Sequence, residues 1–281
     1  MKKIFIYGYL VINLIFSSCT DVVDVDVPYG GPRLVIEASL DWEKGTTGNE
    51  QTIKLSKMTP YFDDYSIDIV QGASVKVIND NNNSVVQFMD QNNGSYTTSD
   101  FVPVVGQSYT LEVAYNDETY IAKETLTPVV DIAKVDQSTE NGFDKNVIEV
   151  NIYFFDPVDE ENYYLTKFQE RKDLLPTLYD ISDEFINGNE MLVFFEKFNN
   201  EDTGEQELLP GDIVDIELYG ISKTYYNYIR LLIEQNGDVG NPFSSVPAPL
   251  RGNCTNPDNP DNFAWGYFRL TQVDRTTYIV E

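Results

Sequence analysis

Between residues 33 and 127, apolar side chains fall at alternate positions in one short segment after another. A period of two puts every second side chain on one face, which suits a half-buried strand and not a helix. Gln51-Thr52-Ile53-Lys54-Leu55-Ser56-Lys57 is the cleanest case. Residues 33–40, 73–78, 84–88, 95–97, 108–115 and 119–125 also read as strands. Between them stand turn formers such as Asn79–Asn83, Asn92-Asn93-Gly94 and Asn116-Asp117. Short strands with turns at roughly 8–12-residue spacing predict an immunoglobulin- or transthyretin-like β-sandwich over residues 33–127, closed by Thr127-Pro128.

A second, β-rich domain is expected over residues 128–281, with strands at 146–155, 162–168, 191–196, 213–219, 263–270 and 276–280. In 213–219, Val214, Ile216 and Leu218 share one face, and Asp215 and Glu217 the other. The run 173–189 reads as a loop with one short helical turn. One α-helix is expected near 223–236. Ser222 is its N-cap, Tyr225, Tyr228, Ile229, Leu232 and Ile233 fall at helical spacing, and Gly237 stands just past the end. That stripe should pack on the second sheet; a tyrosine-lined ligand groove is the alternative. Residues 241–262, with five prolines, read as a long irregular loop.

Composition sets the limits on chemistry. The net charge is −27, but 42% hydrophobic and 13% aromatic residues supply enough apolar surface for a folded core. Acids outnumber bases 46 to 19 without a basic cluster, so nucleic acid is not an expected partner. There is no histidine. The imidazole base of Ser-His-Asp and Cys-His pairs is therefore missing, as are histidine-ligated metals. Two cysteines exclude four-cysteine metal sites. Carboxylate catalysis and oxygen-ligated calcium remain open, and no cofactor is expected.

The N-terminus reads as an address. Met1-Lys2-Lys3 is basic, residues 4–16 are mostly apolar, and Ser17-Ser18-Cys19 follows. Residues 1–18 form a secretory signal too short for an ordinary membrane span. A cysteine after small residues resembles the bacterial lipobox, which makes Cys19 the expected lipidation site; ordinary secretion with an incidental cysteine is the alternative. Residues 19–32 form an acidic tether. Asp21, Asp24 and Asp26 resemble the tract that sends Bacteroidota lipoproteins to the outer face of the outer membrane. Without that role, the tract is a solvated linker with alternating valines. Cys254 has no second cysteine to pair with once Cys19 is lipidated, and reads as an inert small residue.

Longer stretches carry a family resemblance. They are Pro32-Arg33-Leu34-Val35-Ile36-Glu37, Leu55-Ser56-Lys57-Met58-Thr59-Pro60-Tyr61-Phe62, Gly72-Ala73-Ser74-Val75-Lys76-Val77 and Gly94-Ser95-Tyr96. Asn241-Pro242-Phe243-Ser244 and Gly266-Tyr267-Phe268 complete the set. In this order, with Cys19 and the acidic tract, they resemble the Bacteroidota outer-membrane lipoproteins of domain of unknown function 4249 (DUF4249). The resemblance covers nearly the whole chain after the signal. It implies a lipid-anchored surface protein that accompanies TonB-dependent receptors, β-barrels with a transthyretin-like extension, and it brings no catalytic residues.

Individual residues add little chemistry. Asp156, Asp159, Glu160 and Glu161 are calcium candidates by ligand type, as are Asp258 and Asp261. Their spacing matches no EF-hand, and a solvated turn is the favoured reading. Asn82-Asn83-Ser84, Asn93-Gly94-Ser95 and Asn253-Cys254-Thr255 read as turns. The expected function is a non-catalytic accessory or binding subunit of a TonB-dependent receptor or other outer-membrane complex, with a small nutrient as a further expected ligand. The alternatives are a carboxylate-dependent surface hydrolase acting on glycans, or a structural adhesion lipoprotein.

Overall fold

The computed structural model describes residues 31–59, 68–158, 160–184, 188–200, 206–237 and 250–281. Cys19 and the acidic tract, the 60–62 part of the resemblance and residues 241–249 of the proline-rich loop lie outside them.

The first strands are β1 (Leu34–Glu43), β2 (Gln51–Lys57), β3 (Asp68–Ile69), β4 (Ser74–Asn79) and β5 (Val85–Asp90). After them come β6 (Ser95–Thr98), β7 (Ser108–Tyr115), β8 (Glu118–Thr125) and β9 (Lys134–Ser138). Next are β10 (Glu149–Phe155), β11 (Tyr163–Glu170), β12 (Thr177–Ser182), β13 (Glu190–Glu196) and β14 (Ile213–Ile221). A helix, α1 (Lys223–Gly237), precedes β15 (Trp265–Ile279). One hydrogen-bonded path runs β12-β11-β14-β15-β1-β2-β6-β5-β4-β7-β8, with β3 on β2, and β13-β10-β9 form a separate sheet.

The path folds over at β5, which bonds β6 through Met89 and Asp90 and β4 through Val85–Phe88. Two layers thus face each other, as the period-two pattern requires. Ile36, Ile53, Leu55 and Tyr96 of one layer meet Val75, Val77, Phe88 and Leu111 of the other in a closed core. Asn116 and Asp117 both have positive φ, the twist that suits a two-residue hairpin. The Asn82 and Asn93 side chains accept the N–H of Ser84 and of Ser95, so both sites are turns.

The second sandwich stacks β12-β11-β14-β15 on β13-β10-β9. Val214, Ile216 and Leu218 enter its core with Ile152, Phe154, Phe168 and Phe195. The opposite face of the larger sheet receives α1. Ser222 caps it, accepting the Tyr225 N–H at 3.2 Å. Tyr225 and Ile229 are buried against Leu165, Tyr219, Ile221 and Val273. Of the expected stripe, Leu232 is exposed, and Tyr226 packs on Tyr163 instead.

Several sequence expectations need correction. Residues 177–182 are a strand, not part of a loop. Leu178 packs toward α1 while Tyr179 and Ile181 pack on the sandwich core, so burial on both faces hid the alternation. The short strand β9 was not anticipated. The two strands expected at 263–270 and 276–280 are one. The interval 271–275 between them is also strand, because β1 pairs with residues up to 273 and β14 with residues from 273 on. The Asn253 site is not a turn: its side chain bonds both the N–H and the carbonyl of Phe268. Thr255 bridges Ile121, so residues 253–256 close the first core.

β15 links the two units. Residues 265–273 run parallel to β1, and residues 273–279 run antiparallel to β14. The segment after α1 therefore returns to the first sandwich, while the crossing at 127–128 lies beside it: the Thr127 carbonyl accepts the Gln272 N–H at 2.9 Å.

Candidate binding surface

The register of β15 fixes which loops share an end. At about 3.3 Å per residue, its 15 residues span roughly 50 Å. Trp265 lies beside Val35, near the point where the described chain enters at residue 31. Ile279 lies beside Ile213 at the opposite end of the second sandwich. The β9–β10 loop, the β11–β12 hairpin and the β13–β14 connection gather at that far end. Their exposed apolar side chains include Phe143 at 85%, Leu174 at 91% and Leu175 at 74% exposure. Phe198, Leu209 and Ile279 are also exposed there.

These side chains are carried on braced loops. Glu149, fully buried, accepts the N–H groups of Glu140, Asn141 (2.6 Å) and Gly142 (2.7 Å) and the Ser138 hydroxyl. Glu196, its cross-strand neighbour, accepts the N–H of Phe143 at 2.8 Å and of Asp144 at 3.0 Å. The loop is wrapped on two carboxylates, and Phe143 leans edge-on against Phe194 at 5.5 Å. Burial works to raise the Glu149 carboxyl, but the bonds from Ser138, Asn141, Gly142 and Glu140 outweigh it and hold it below the ordinary range.

The β11–β12 hairpin has an ionic brace. The buried Lys197 ammonium donates to Glu170 at 3.1 Å and to Asp173 at 2.6 Å, directly before Leu174. Burial acts to lower Lys197, and the bonds to Asp173 and Glu170 override it, leaving it raised. Lys172 pairs with Asp212 and holds that carboxyl below its usual range, against a smaller opposing effect of burial. Buried charges cost free energy unless paired and hydrogen-bonded, so this end of the molecule is built to hold a shape. Exposed leucine and phenylalanine on rigid loops form a surface suited to a partner, because little ordering remains to be done on binding.

The residues singled out by sequence lie elsewhere. Cys19, Asp21, Asp24, Asp26 and Asp159 are outside the described residues. Asp156 is buried and accepts the Tyr164 hydroxyl at 2.7 Å and the Gly188 N–H at 3.0 Å. It holds Gly188 just before β13, and both of its carboxylate oxygens are engaged by donors within the fold. Glu161 pairs with Lys223 and Tyr163. Among the described residues, no three His, Cys, Asp or Glu side chains converge as metal ligands. Cys254 is buried, which pushes its thiol up to about 12. Leu174 and Leu175 were not anticipated. The available signal was an apolar pair inside Arg171-Lys172-Asp173-Leu174-Leu175-Pro176, where a solvated turn should be polar.

Among the described residues, two β-sandwiches share one long strand, one helix packs on the larger sheet of the second, and exposed apolar side chains stand at the far tip. The signature of the family described as Domain of unknown function (DUF4249) matches residues 20–277, and the chain belongs to that family. No curated protein sequence matches it. Among solved structures, it aligns with a two fibronectin type III domain segment of chicken tenascin at 11% identity, covering 67% of this chain and 90% of that one, TM-score 0.21. A cytokine receptor complex aligns at 7% identity, covering 68% and 86%, TM-score 0.27. A DUF4785 family protein from Legionella pneumophila aligns at 13%, covering 66% and 52%, TM-score 0.27. No helix among the described residues is long and apolar enough to cross a membrane.

Proposed function

We propose that this chain is a lipid-anchored outer-membrane lipoprotein of the Bacteroidota type. In this reading it serves as a non-catalytic binding subunit of a larger surface complex, with a TonB-dependent receptor as the partner. The observation that carries the reading is the braced apolar tip formed by Phe143, Leu174 and Leu175, at the end opposite the chain's entry. A lipid on Cys19 would meet the fold at the Arg33 end, through the acidic tether, and leave the tip pointing away from the membrane. Asp21, Asp24 and Asp26 supply the export tract, and the resemblance to lipoproteins that accompany such receptors supplies the partner class.

Affinity purification of the tagged full chain from its own detergent-solubilised outer membrane tests this. A β-barrel receptor recovered in stoichiometric amount is expected. Recovery in the soluble fraction, or from the membrane with no barrel, overturns it.

A further inference from the structure

A cavity of about 980 Å³ opens in the first sandwich where β5 parts from β6. β5 bonds β6 only through Met89–Thr97 and Asp90–Tyr96. From Val85 to Phe88 it pairs with β4 on one side, and among the described residues no strand occupies the other. Val77, Val86, Phe101 and Tyr109 line the cavity as an apolar floor. Val85 and Met89 stand at the rim, 57% and 63% exposed. Glu50 and Asp100 are the charged residues of the lining, and no lysine or arginine faces them there.

Sheet edges are normally blunted by charge or proline, because a bare row of N–H and C=O groups recruits another strand. The other edges here follow that rule. β8 carries Glu118, Lys123 and Glu124; β9 carries Lys134 and Asp136; β12 carries Asp180; β13 carries Glu190 and Glu196. β5 ends in Asp90, which is paired to β6, but its open stretch Val85-Val86-Gln87-Phe88 has neither charge nor proline. An unguarded edge beside an apolar cleft has the geometry of strand addition.

We propose that this cleft accepts an extended segment of a partner protein as an added strand beside β5. The segment has apolar side chains at alternate positions and carries lysine or arginine. Alternate side chains of such a strand share the face of Val86 and Phe88 and reach the floor, while the others remain in solvent. The carboxylates of Glu50 and Asp100 attract the cation and repel an acidic strand. The chain's own alternating tract, Val23-Asp24-Val25-Asp26-Val27, therefore has the wrong charge for the cleft. The inference uses only the first sandwich and holds whether or not the chain is membrane-anchored.

Three end-blocked, dye-labelled octapeptides test it against the full chain by fluorescence anisotropy. One alternates valine with lysine, one alternates valine with glutamate, and one has the lysine peptide's composition with its valines in a block. The alternating lysine peptide should bind at least ten-fold tighter than either control and slow amide exchange at residues 85–89. Val86→Trp, which fills the floor, should weaken it ten-fold or more. Equal binding of the two lysine peptides, or exchange protection only elsewhere, overturns the proposal. Both of those readouts use the unmodified protein, so the outcome does not depend on the variant folding.

Discussion

Glu149 and Glu196 lie directly opposite each other across the β10–β13 ladder, and both carboxylates are roofed by backbone N–H groups of the same loop. Like charges in register repel. Here the donors from residues 140–144 compensate both, and the loop that carries Phe143 is fixed as a result.

Removing one of these charges should loosen the loop. Glu149→Gln is expected to cost about 1–3 kcal/mol, the range for a buried charge-assisted network losing its acceptor. Urea denaturation measures the cost, and faster amide exchange at Asn141 and Gly142 locates it. The pH dependence has a definite sign. A carboxyl lowered in the fold adds stability above the ordinary glutamate value of about 4.3 and loses it as pH falls through the native value. Protection of those amides relative to the β2 amides should therefore hold steady down to about pH 4 and fall below it. Parallel behaviour of both sets would contradict the brace.

Arg269 ties the two sandwiches together from inside. It is buried between the rings of Tyr219 and Tyr225, at 4.8 and 5.1 Å, and its Nη2 donates to Asp41 at 2.6 Å. Arg269→Met leaves the Asp41 carboxylate without this partner and should destabilise by roughly 3 kcal/mol, the lower end for a broken buried pair because Asp41 is partly exposed. Asp41→Asn together with Arg269→Met should recover part of that loss. An equal or larger loss in the double variant would show that the pair is not the source.

Gly266 sits at φ 92°, where β15 passes β1. A Cβ there would collide with the Ile36 carbonyl oxygen. Gly266→Ala should cost at least about 2 kcal/mol through the unfavourable φ and the displaced strand pair. The measurement is the urea midpoint, with Gly211→Ala as reference, because its Cβ would meet nothing within 4 Å at φ 97°.

The tip can be tested apart from folding. Leu174→Glu with Leu175→Glu changes side chains that are 91% and 74% exposed, so stability should move by less than about 0.5 kcal/mol. Recovery of the barrel partner in purification should fall at least ten-fold. Undiminished recovery would remove the tip from the proposed interface.

Cys254 should resist alkylation in the native protein. Its thiol is pushed up to about 12 by burial, and the thiolate is the reactive form. Iodoacetamide at pH 8 should label it only in denaturant. Native labelling at the denatured rate would mean that the 253–256 segment opens freely.

How much of this was legible depended on whether a residue's neighbours were near in sequence. The strands β2, β7 and β8 were readable because each has one buried face, so burial printed a period of two. The helix was readable through Ser222 and the Tyr225–Ile229 stripe, although Leu232 turned out exposed. β12 escaped because the core covers one of its faces and α1 the other. The tip escaped because exposure is a property of an end of the molecule, and no local pattern states which loops share an end.

The sequence by itself determined the β-rich class, the turns at Asn82, Asn93 and Asn116, and the helix that follows Ser222. Each rests on periodicity or on backbone preferences of residues a few positions apart. The tertiary structure alone decided that β15 serves both sandwiches, that Glu149 faces Glu196, and that the loops carrying Leu174 and Phe143 lie at the same end, opposite Arg33. These relationships join residues far apart in the chain, and their strength comes from burial and strand register, which exist only once the strands have paired.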